Sequence, residues 1–187
     1  MAKIPDERIA VVDDDNRFVR WEPRQLIHEQ QLIHRSVYVL VFDAEQRLVI
    51  QQRHHDKQTW PRYWDISCAG HVGEDDYANG PEQDVDRAYE LAAARELAEE
   101  LGVTAPLSLL GHFGPRDGVG YEQIRLFRAT WAGPITVQPE EIEAFRWISA
   151  AEFAALLHED DARFTPALRY FGTLARARGW WAGSIDT

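Results

Sequence analysis

Three glutamates in the middle of the chain are spaced so that they would meet on one face of a helix. Glu96, Glu99 and Glu100 stand at positions i, i+3 and i+4, where helical side chains are neighbours with Cβ atoms about 5–6 Å apart. Like charges at this spacing destabilise an isolated helix by about 0.2–0.5 kcal/mol per pair. Mg²⁺ prefers oxygen ligands and is commonly held by a few carboxylates together with substrate phosphates. The cluster therefore points to phosphoryl or diphosphate chemistry, with a solvated glutamate-rich helix as the alternative.

The helix that would carry this cluster also has an apolar face. Leucine and alanine recur opposite the glutamates at the helical period: Leu91, Ala94, Leu97 and Leu101. Such a stripe predicts that the helix packs on a core through this face. The packing would then hold the acidic face at a cavity.

The sequence around the glutamates resembles a known family signature. Residues 95–103 read Arg-Glu-Leu-Ala-Glu-Glu-Leu-Gly-Val. The Nudix hydrolase signature reads Gly, five residues, Glu, seven residues, Arg-Glu, an aliphatic residue, any residue, Glu-Glu, any residue, Gly and an aliphatic residue. Its second half is matched at every fixed position. The resemblance covers about residues 33–160 and implies an α+β domain, an α/β/α sandwich in which the signature helix packs on a mixed β-sheet.

The first half of the signature is not matched in the same way. Gly70 is the expected opening glycine, but 24 residues separate it from Arg95, more than the signature allows. The position eight residues before Arg95 holds Arg87 instead of the first glutamate. We expect the excess to form an inserted loop over residues 74–86. Three acidic residues could replace the glutamate if this loop folds back: Glu74, Asp84 and Asp86.

The resemblance implies a Mg²⁺ site, in which Mn²⁺ can substitute. Its expected ligands are three helix carboxylates and one main-chain carbonyl: Glu96, Glu99, Glu100 and Ala69. A carboxylate, either one of the helix trio or Glu141, is expected to take the proton of the attacking water. Arg95 is expected to orient the trio by pairing with a carboxylate. The predicted catalytic residues are Arg95, Glu96, Glu99 and Glu141.

A second stretch resembles the diphosphate-binding segment of isopentenyl diphosphate isomerases, a branch of the same family. Its Arg and Lys correspond to Arg53 and Lys57 in the segment 52–61. A planar guanidinium grips two phosphate oxygens, and a flexible ammonium adds a point charge. Gly70 and His71, at the expected mouth of the pocket, complete the predicted substrate-binding set. For the two cations a solvated strand end is the alternative.

Isomerisation of a five-carbon diphosphate is the first alternative function. The isomerases use a cysteine before the Gly-His pair, a glutamate two residues before the position of Glu122 and a late aromatic residue. This chain has Ala69, Gly120 and Ala167 at those positions. It retains the Arg-Glu and Glu-Glu pairs that the isomerases let lapse, so hydrolysis is favoured. The second alternative is an inactive Nudix-fold ligand sensor, which the intact trio opposes.

Histidine and cysteine offer weaker signals. Three histidines lie near the position where the isomerase binds a metal: His28, His34 and His71. A second metal site there is a hypothesis, and hydrogen bonding is the commoner role for such histidines. Cys68 is disfavoured as a nucleophile because no motif places a base beside it.

Composition limits the remaining choices. The 187 residues with a net charge of −11 predict one domain and argue against binding to a nucleic acid polymer or an anionic membrane. We therefore expect a small-molecule diphosphate as the partner. A single cysteine, no apolar run near the length of a membrane span and no secretory pattern predict a cytoplasmic protein.

The remaining elements follow from hydrophobic periodicity and turn residues. An N-terminal hairpin extension is predicted within residues 1–32, and a C-terminal helix and tail over 165–187. The hairpin and Trp180-Trp181 could supply an apolar contact for a homodimer. Ser149 and Glu152 form a capping-box pattern at a helix start. Strands are predicted over residues 36–42, 47–53, 65–68, 108–114, 121–131 and 145–148.

Overall fold

The computed structural model describes residues 7–116, 118–159 and 163–181. These residues form four helices, α1 (Arg24–Glu29), α2 (Val85–Leu101), α3 (Ala150–Leu156) and α4 (Pro166–Ala177). The strands are β1 (Arg8–Val12), β2 (Phe18–Pro23), β3 (His34–Phe42), β4 (Leu48–Arg53), β5 (Trp64–Asp65), β6 (Cys68–His71), β7 (Ser108–Phe113), β8 (Glu122–Thr130) and β9 (Ile142–Ile148). None of the described helices is long and apolar enough to cross a membrane.

One mixed sheet contains all of these strands, with β3 at its centre. Strand β3 pairs in parallel with β8 along its whole length and antiparallel with β6. Strand β4 pairs antiparallel with β9 and β5. The hairpin of β1 and β2 joins β3 through the pairing of Val11 with His34. The predicted α+β class with a mixed sheet is confirmed.

The side chains of β3 supply core residues to both faces of the sheet. Val37, Val39 and Val41 pack in the cluster that contains α2. Alternate residues on the same strand, including Tyr38 and Phe42, pack in the cluster that contains α3 and α4. Successive strand residues point to opposite faces, and a strand buried on both faces reads as a continuous apolar run. The fold is therefore the predicted α/β/α sandwich.

The face of α2 that packs on the sheet differs from the predicted stripe. Leu97 and Leu101 are buried, but Leu91 and Ala94 are exposed. Small residues line the buried side instead: Ala88, Ala92 and Ala93. Because alanine has a short side chain, α2 can lie close to the sheet, and its rotation turns Glu96 and Glu100 toward β6. Half of the predicted apolar stripe is therefore wrong.

The predicted inserted loop over residues 74–86 has different bounds in the structure. Glu74–Asp76 forms a 3₁₀ turn, and Val85 and Asp86 already belong to α2. The segment between them is tied to neighbouring elements by hydrogen bonds. The backbone N–H of Phe18 donates to Glu82 over 2.8 Å.

A buried arginine anchors the same segment from β3. The guanidinium of Arg35 donates to the Tyr77 hydroxyl, to the carbonyl of Pro81, and to the side chain and carbonyl of Asn16. It therefore links the inserted segment to the turn of the N-terminal hairpin. A buried guanidinium requires such partners, since leaving it unpaired would be costly.

Other predicted elements are close to those observed, with two exceptions. The strand predicted over residues 65–68 is replaced by β5 and β6, so the expected signature loop begins as a strand. Trp181 is buried against Phe42 and Phe153, which leaves it unavailable for the predicted dimer contact. Ser149 caps α3 as predicted, accepting a hydrogen bond from the Glu152 N–H at 3.2 Å. Residues 1–6 of the predicted extension and 182–187 of the predicted tail lie outside the described residues.

Candidate active site

Two glutamates of α2 pack against β6. Glu96 lies so close to Gly70 that a Cβ at residue 70 would be 2.0 Å from its Cδ, so a side chain there would displace the Glu96 carboxylate. Glu100 is 7% exposed, and its Oε2 has no hydrogen-bond partner among the residues that the structure describes. Glu99 points toward solvent, with its side chain 55% exposed. The sequence signature thus places two carboxylates inside the protein and one at its surface.

Burial makes the inner carboxylates hard to ionise. It raises the pKa of Glu100 to about 8, and the charge of Glu96 adds to this effect. Lys57 and hydrogen bonds from Cys68 and Ala69 offset it only in part. Burial also raises the pKa of Glu96 to about 7, although Arg95 opposes the shift. Nearby positive charge would favour the ionised form of both groups.

Arg95 links the acidic cluster to the strand and to the inserted segment. Its Nη1 donates to Glu96 Oε1 at 2.7 Å and to Glu99 Oε2 at 3.3 Å. Its Nη2 donates to the main-chain carbonyl of His71 at 3.1 Å. Burial opposes its charge, but hydrogen bonds to Asp76 and the nearby Glu96 hold the pKa of Arg95 above its ordinary value. These contacts are those expected of a residue that orients the carboxylates.

The acidic partner of Arg95 in the inserted segment is Asp76, which the sequence argument missed. Asp76 Oδ2 accepts from Arg95 Nη2 at 3.0 Å and from the Gly73 N–H at 2.9 Å. The three predicted replacements do not contact Arg95 in this way: Glu74 pairs with Arg8, Asp84 with Asn79 and Asp86 with Arg125.

Asp76 could have been found from its spacing. Five residues separate it from Gly70, the spacing at which the signature places its first glutamate. A count back from Arg95 misses it, because the spacer between Asp76 and Arg95 holds 18 residues, 77–94, where the signature has seven. An aspartate thus stands at the first-glutamate position, and the extra length follows it.

Three further predicted residues meet near the acidic cluster. Lys57 forms an ion pair with Glu141. Burial lowers the pKa of Lys57 to about 8; Arg53 lowers it further, while the charges of Glu100 and Glu96 raise it. Lysine and glutamates are therefore close enough to influence one another.

Arg53 lies beside Lys57 but is already engaged. Its Nη1 donates to Asp65 Oδ2 at 3.1 Å, and its Nε donates to the carbonyl of Thr59 at 3.1 Å. The alternative of a solvated strand end is wrong for this side chain, which is only 19% exposed. A phosphate would have to share the guanidinium with these partners.

The acidic cluster fits a divalent cation by two observations. A buried, unpartnered carboxylate oxygen on Glu100 is costly unless a cation or a donor reaches it. Because Gly70 has no side chain, the Glu96 carboxylate can lie directly beside β6. Among the described residues, however, the oxygens of the three glutamates do not all come within 4.8 Å of one another. Closing the cluster on one ion therefore requires side-chain movement.

A histidine cluster lies on the other face of β6. The rings of His28, His34 and His71 are 5.1 to 5.8 Å apart. Ligand atoms of His34, His71 and Glu122 all lie within 4.8 Å of one another. His28 is not in this set. Burial lowers the pKa of His71 well below its ordinary value, and the neighbouring His34 lowers it further. The three predicted histidines therefore lie together, but the set of atoms within ligand distance contains Glu122 instead of His28.

Glu122 in this cluster is fully hydrogen bonded. Ser36 Oγ donates to its Oε1 at 2.8 Å, and the Tyr38 hydroxyl donates to its Oε2 at 2.7 Å. His34 Nε2 lies 3.6 Å from Oε1. Burial alone would raise the pKa of Glu122, but His34, Tyr38 and Ser36 together hold it below its ordinary value.

Comparison with known proteins identifies the family. A family model for the NUDIX domain matches residues 32–168, which include the acidic helix, β6, His34 and Glu122. The chain belongs to the Nudix family. The predicted family and its isomerase-like branch are thereby confirmed, since relatives named Nudix hydrolases and relatives named isopentenyl-diphosphate isomerases both match.

Two relatives illustrate this branch. The chain is 33% identical to an isopentenyl-diphosphate Delta-isomerase of Nocardia farcinica over 167 residues, covering 86% of this chain and 89% of that protein. It is 32% identical to Nudix hydrolase 3 of Arabidopsis thaliana over 160 residues, 78% of this chain. The match spans only 19% of that plant protein.

A solved structure supports the fold. The crystal structure of a Deinococcus radiodurans protein superposes with a TM-score of 0.73 at 19% identity, covering 90% of this chain and 98% of that one. The Nudix assignment supports a hydrolase that acts on phosphorus-containing acid anhydrides, a class that generally uses a divalent metal.

Two of the positions that distinguish Nudix isomerases, residues 69 and 120, have surroundings that the structure describes. Ala69 is half-buried in β6, and a Cβ at residue 120 would lie 2.9 Å from Glu122 Oε2, which leaves little room beside Gly120. Cys68 is buried on the α2 side, and burial raises the pKa of its thiol well above its ordinary value. A buried, protonated thiol is a poor nucleophile, in agreement with the prediction.

Proposed function

We propose that this Nudix protein is a Mg²⁺-dependent hydrolase that cleaves the diphosphate linkage of a nucleoside diphosphate derivative or a similar small diphosphate. The observation that carries the proposal is the pair of buried glutamates, Glu96 and Glu100, with raised pKa values and an unpartnered oxygen. Such a pair is stable in its ionised form only beside added positive charge.

The proposed metal ligands are the predicted ones: Glu96, Glu99, Glu100 and the main-chain carbonyl of Ala69. Mg²⁺ suits them because it prefers oxygen ligands and shares its coordination with substrate phosphates, and Mn²⁺ has similar ligand preferences. When bound, the ion would neutralise phosphate charge and make a water molecule more acidic.

The side chains around this cluster have complementary roles. Lys57 and Arg53 would bind the diphosphate oxygens, with Gly70 beside Glu96 at the floor of the pocket. The side chain of His71 lies on the other face of β6 with His34 and Glu122, so it is not part of this floor. Arg95 would hold Glu96 and Glu99 in position, as its hydrogen bonds indicate. Glu99 or Glu141 would accept the proton of the water whose oxygen attacks phosphorus. The phosphorus–oxygen bond to the leaving phosphate then breaks, and two phosphorylated products result.

A substrate panel tests the proposal. Nucleoside diphosphate derivatives and isoprenoid diphosphates are incubated with the protein and Mg²⁺ or Mn²⁺, and release of phosphate or monophosphate is measured. We expect metal-dependent release from at least one nucleoside diphosphate derivative. Glu99→Gln should lower turnover at least about 100-fold, the equivalent of about 2.7 kcal/mol, while Glu90→Gln, an exposed change on the same helix, should leave it unchanged.

The panel also separates the alternatives. An isomerase converts an isoprenoid diphosphate without releasing phosphate, and a sensor binds without converting anything. The histidine cluster with Glu122 favours the isomerase, but alanine at positions 69 and 167 and glycine at 120 oppose it. Unchanged turnover in Glu99→Gln with saturating Mg²⁺ would contradict the assignment of the acidic helix.

A further inference from the structure

A second group of possible metal ligands lies at the protein surface, in the turn after β4. Ligand atoms of three consecutive residues, His54, His55 and Asp56, all lie within 4.8 Å of one another. This turn has no place in the hydrolase mechanism, although Lys57 follows it directly.

Hydrogen bonding fixes which nitrogen of His55 is free. Its Nδ1 lies 2.5 Å from Glu143 Oε1. An ionised carboxylate only accepts hydrogen bonds, so Nδ1 carries the proton and Nε2 keeps its lone pair. That Nε2 lies 3.5 Å from Asp56 Oδ1. A histidine that donates its other N–H to a carboxylate is the common arrangement around protein-bound metals.

His54 is oriented by its own turn. The backbone N–H of Asp56 donates to His54 Nδ1 at 3.2 Å, so this nitrogen is unprotonated and its lone pair accepts that hydrogen bond. It lies 3.8 Å from Asp56 Oδ2. The Asp56 carboxylate thus lies near one nitrogen of each imidazole, and an ion that binds His54 Nδ1 would replace the Asp56 N–H as its partner.

The spacing of these atoms matches a tetrahedral zinc site. Zn²⁺ binds histidine nitrogen and carboxylate oxygen at about 2.0–2.2 Å in tetrahedral geometry, which places neighbouring donors about 3.4 Å apart. The separations of 3.5 Å from His55 Nε2 to Asp56 Oδ1 and 3.8 Å from His54 Nδ1 to Asp56 Oδ2 are near this value, and a rotation of the exposed Asp56 carboxylate would bring one oxygen between the two nitrogens. Asp56 is 80% exposed in its side chain, so a water molecule can reach a fourth position.

We propose that His54, His55 and Asp56 bind a Zn²⁺ ion at this surface turn, with Glu143 orienting the His55 ring. The ligand set of two nitrogens and one oxygen suits zinc better than magnesium, which prefers oxygen alone. The site is separate from the acidic helix and does not depend on the hydrolase proposal.

The turn connects the zinc site to the substrate side of the protein. The His54 N–H donates to the carbonyl of Glu141 at 2.9 Å, and the Lys57 N–H donates to the carbonyl of His54 at 3.1 Å. An ion held by His54 and Asp56 would therefore restrain the backbone that positions Lys57 beside Glu141.

Isothermal titration of untagged protein with Zn²⁺, in the presence of excess Mg²⁺, tests the site. We expect His55→Ala and Asp56→Asn each to lose one Zn²⁺ site, and Glu143→Gln to weaken that site by about 10–100-fold. Titration with Co²⁺ should give visible absorption bands that the same variants lose. His158→Ala, an exposed histidine elsewhere, is the matched control and should keep the site.

His34→Gln distinguishes the site from the buried histidine cluster. The proposed site should persist in His34→Gln and disappear in His55→Ala. Identical isotherms for wild type, His55→Ala and Asp56→Asn would overturn the proposal, as would a single site lost only in His34→Gln. Equal loss in His158→Ala would indicate nonspecific binding and overturn it as well. None of these readouts requires turnover, so failure here and failure of the hydrolase proposal can be told apart.

Discussion

The two faces of β6 carry buried glutamates with opposite electrostatic properties. On the α2 face, burial raises the pKa values of Glu96 and Glu100. On the other face, the side chain of Glu122 is only 15% exposed, yet its pKa lies below the ordinary value. The difference comes from the donors around each carboxylate. His34 lies beside Glu122, and Tyr38 and Ser36 both donate to it, whereas Glu100 keeps an oxygen with no partner in the described part of the chain.

The comparison separates the two carboxylates by their hydrogen-bond donors. Burial penalises every carboxylate, and enough hydrogen-bond donors outweigh the penalty. Among the described residues, the Glu122 carboxylate has donors for both oxygens, whereas Glu100 Oε2 and, in the Glu122 cluster, His34 Nε2 have no partner. Neighbouring residues of one strand, Gly70 and His71, point to these two faces because strand side chains alternate.

Replacing Glu100 should give the largest effect and the clearest contrast. Glu100→Gln removes a proposed metal ligand, so we expect turnover to fall at least about 100-fold. The metal-free protein should become more stable at pH 8, because the amide has no charge to bury. Steady-state kinetics and urea denaturation measure the two changes. Near-normal turnover with saturating Mg²⁺ would remove Glu100 from the metal site.

Replacing Glu122 should lower the stability of the protein and have a smaller effect on turnover. Glu122→Gln cannot accept from both Ser36 and Tyr38 as well as the carboxylate does, so we expect a loss of about 1–3 kcal/mol in the free energy of unfolding. Turnover with Mg²⁺ should fall less than about tenfold. Urea denaturation and the kinetic assay check both. A loss of turnover as large as that in Glu100→Gln would show that the two faces act together.

Asp76 should have an intermediate role through Arg95. Asp76→Asn removes the charge that holds the guanidinium, and we expect kcat/KM to fall about tenfold, as for residues that orient metal ligands. Asp76→Glu keeps the charge and should retain most of the activity. If Asp76→Asn is only less stable, kcat/KM measured well below its melting temperature would equal that of the wild type.

The pH dependence of stability should differ in sign between the two faces. An unfolded glutamate ionises near pH 4.5, whereas folded Glu100 keeps its proton until about pH 8. Between these values the native state binds more protons than the unfolded state, so the free energy of unfolding falls as pH rises. The expected loss is on the order of a few kcal/mol.

The contribution of Glu122 to the pH dependence of stability has the opposite sign. Its contribution is present above pH 4.5 and is lost as pH falls through its lower folded pKa. Urea midpoints of metal-free protein between pH 3 and pH 9 should separate the two, and added Mg²⁺ should flatten only the alkaline part. A stability that rises steadily from pH 5 to pH 8 without metal would contradict the raised pKa values on α2.

Much of the acidic site could be predicted from the sequence, because its residues are related by helical spacing. Glu96, Glu99, Glu100 and Arg95 lie on one turn and a half of α2, where i, i+3 and i+4 positions are neighbours. Helical periodicity does not decide which side of α2 meets the sheet. The alanines and Gly70 decide it, since they allow close packing, and this is why Leu91 and Ala94 were misplaced.

Residues joined through loops were harder to predict. Arg53 has a recognisable motif, but its engagement by Asp65 and Thr59 depends on how two segments meet. The ion pair of Lys57 with Glu141 joins residues 84 positions apart. The spacing from Gly70 identifies Asp76. The insertion that follows Asp76 hides it when the count starts from Arg95.

The long segment between Asp76 and Arg95 has one further consequence. Asp76 is fixed by Gly73, Arg95 is fixed by the helix, and the residues between them are fastened at Tyr77, Pro81 and Glu82 to Arg35 and Phe18. The contact between the two charged groups is therefore independent of how much chain connects them. Residues 78–80 lie between Tyr77 and Pro81, the two points held by Arg35, so we expect a peptide inserted there to leave the arginine and its aspartate in place.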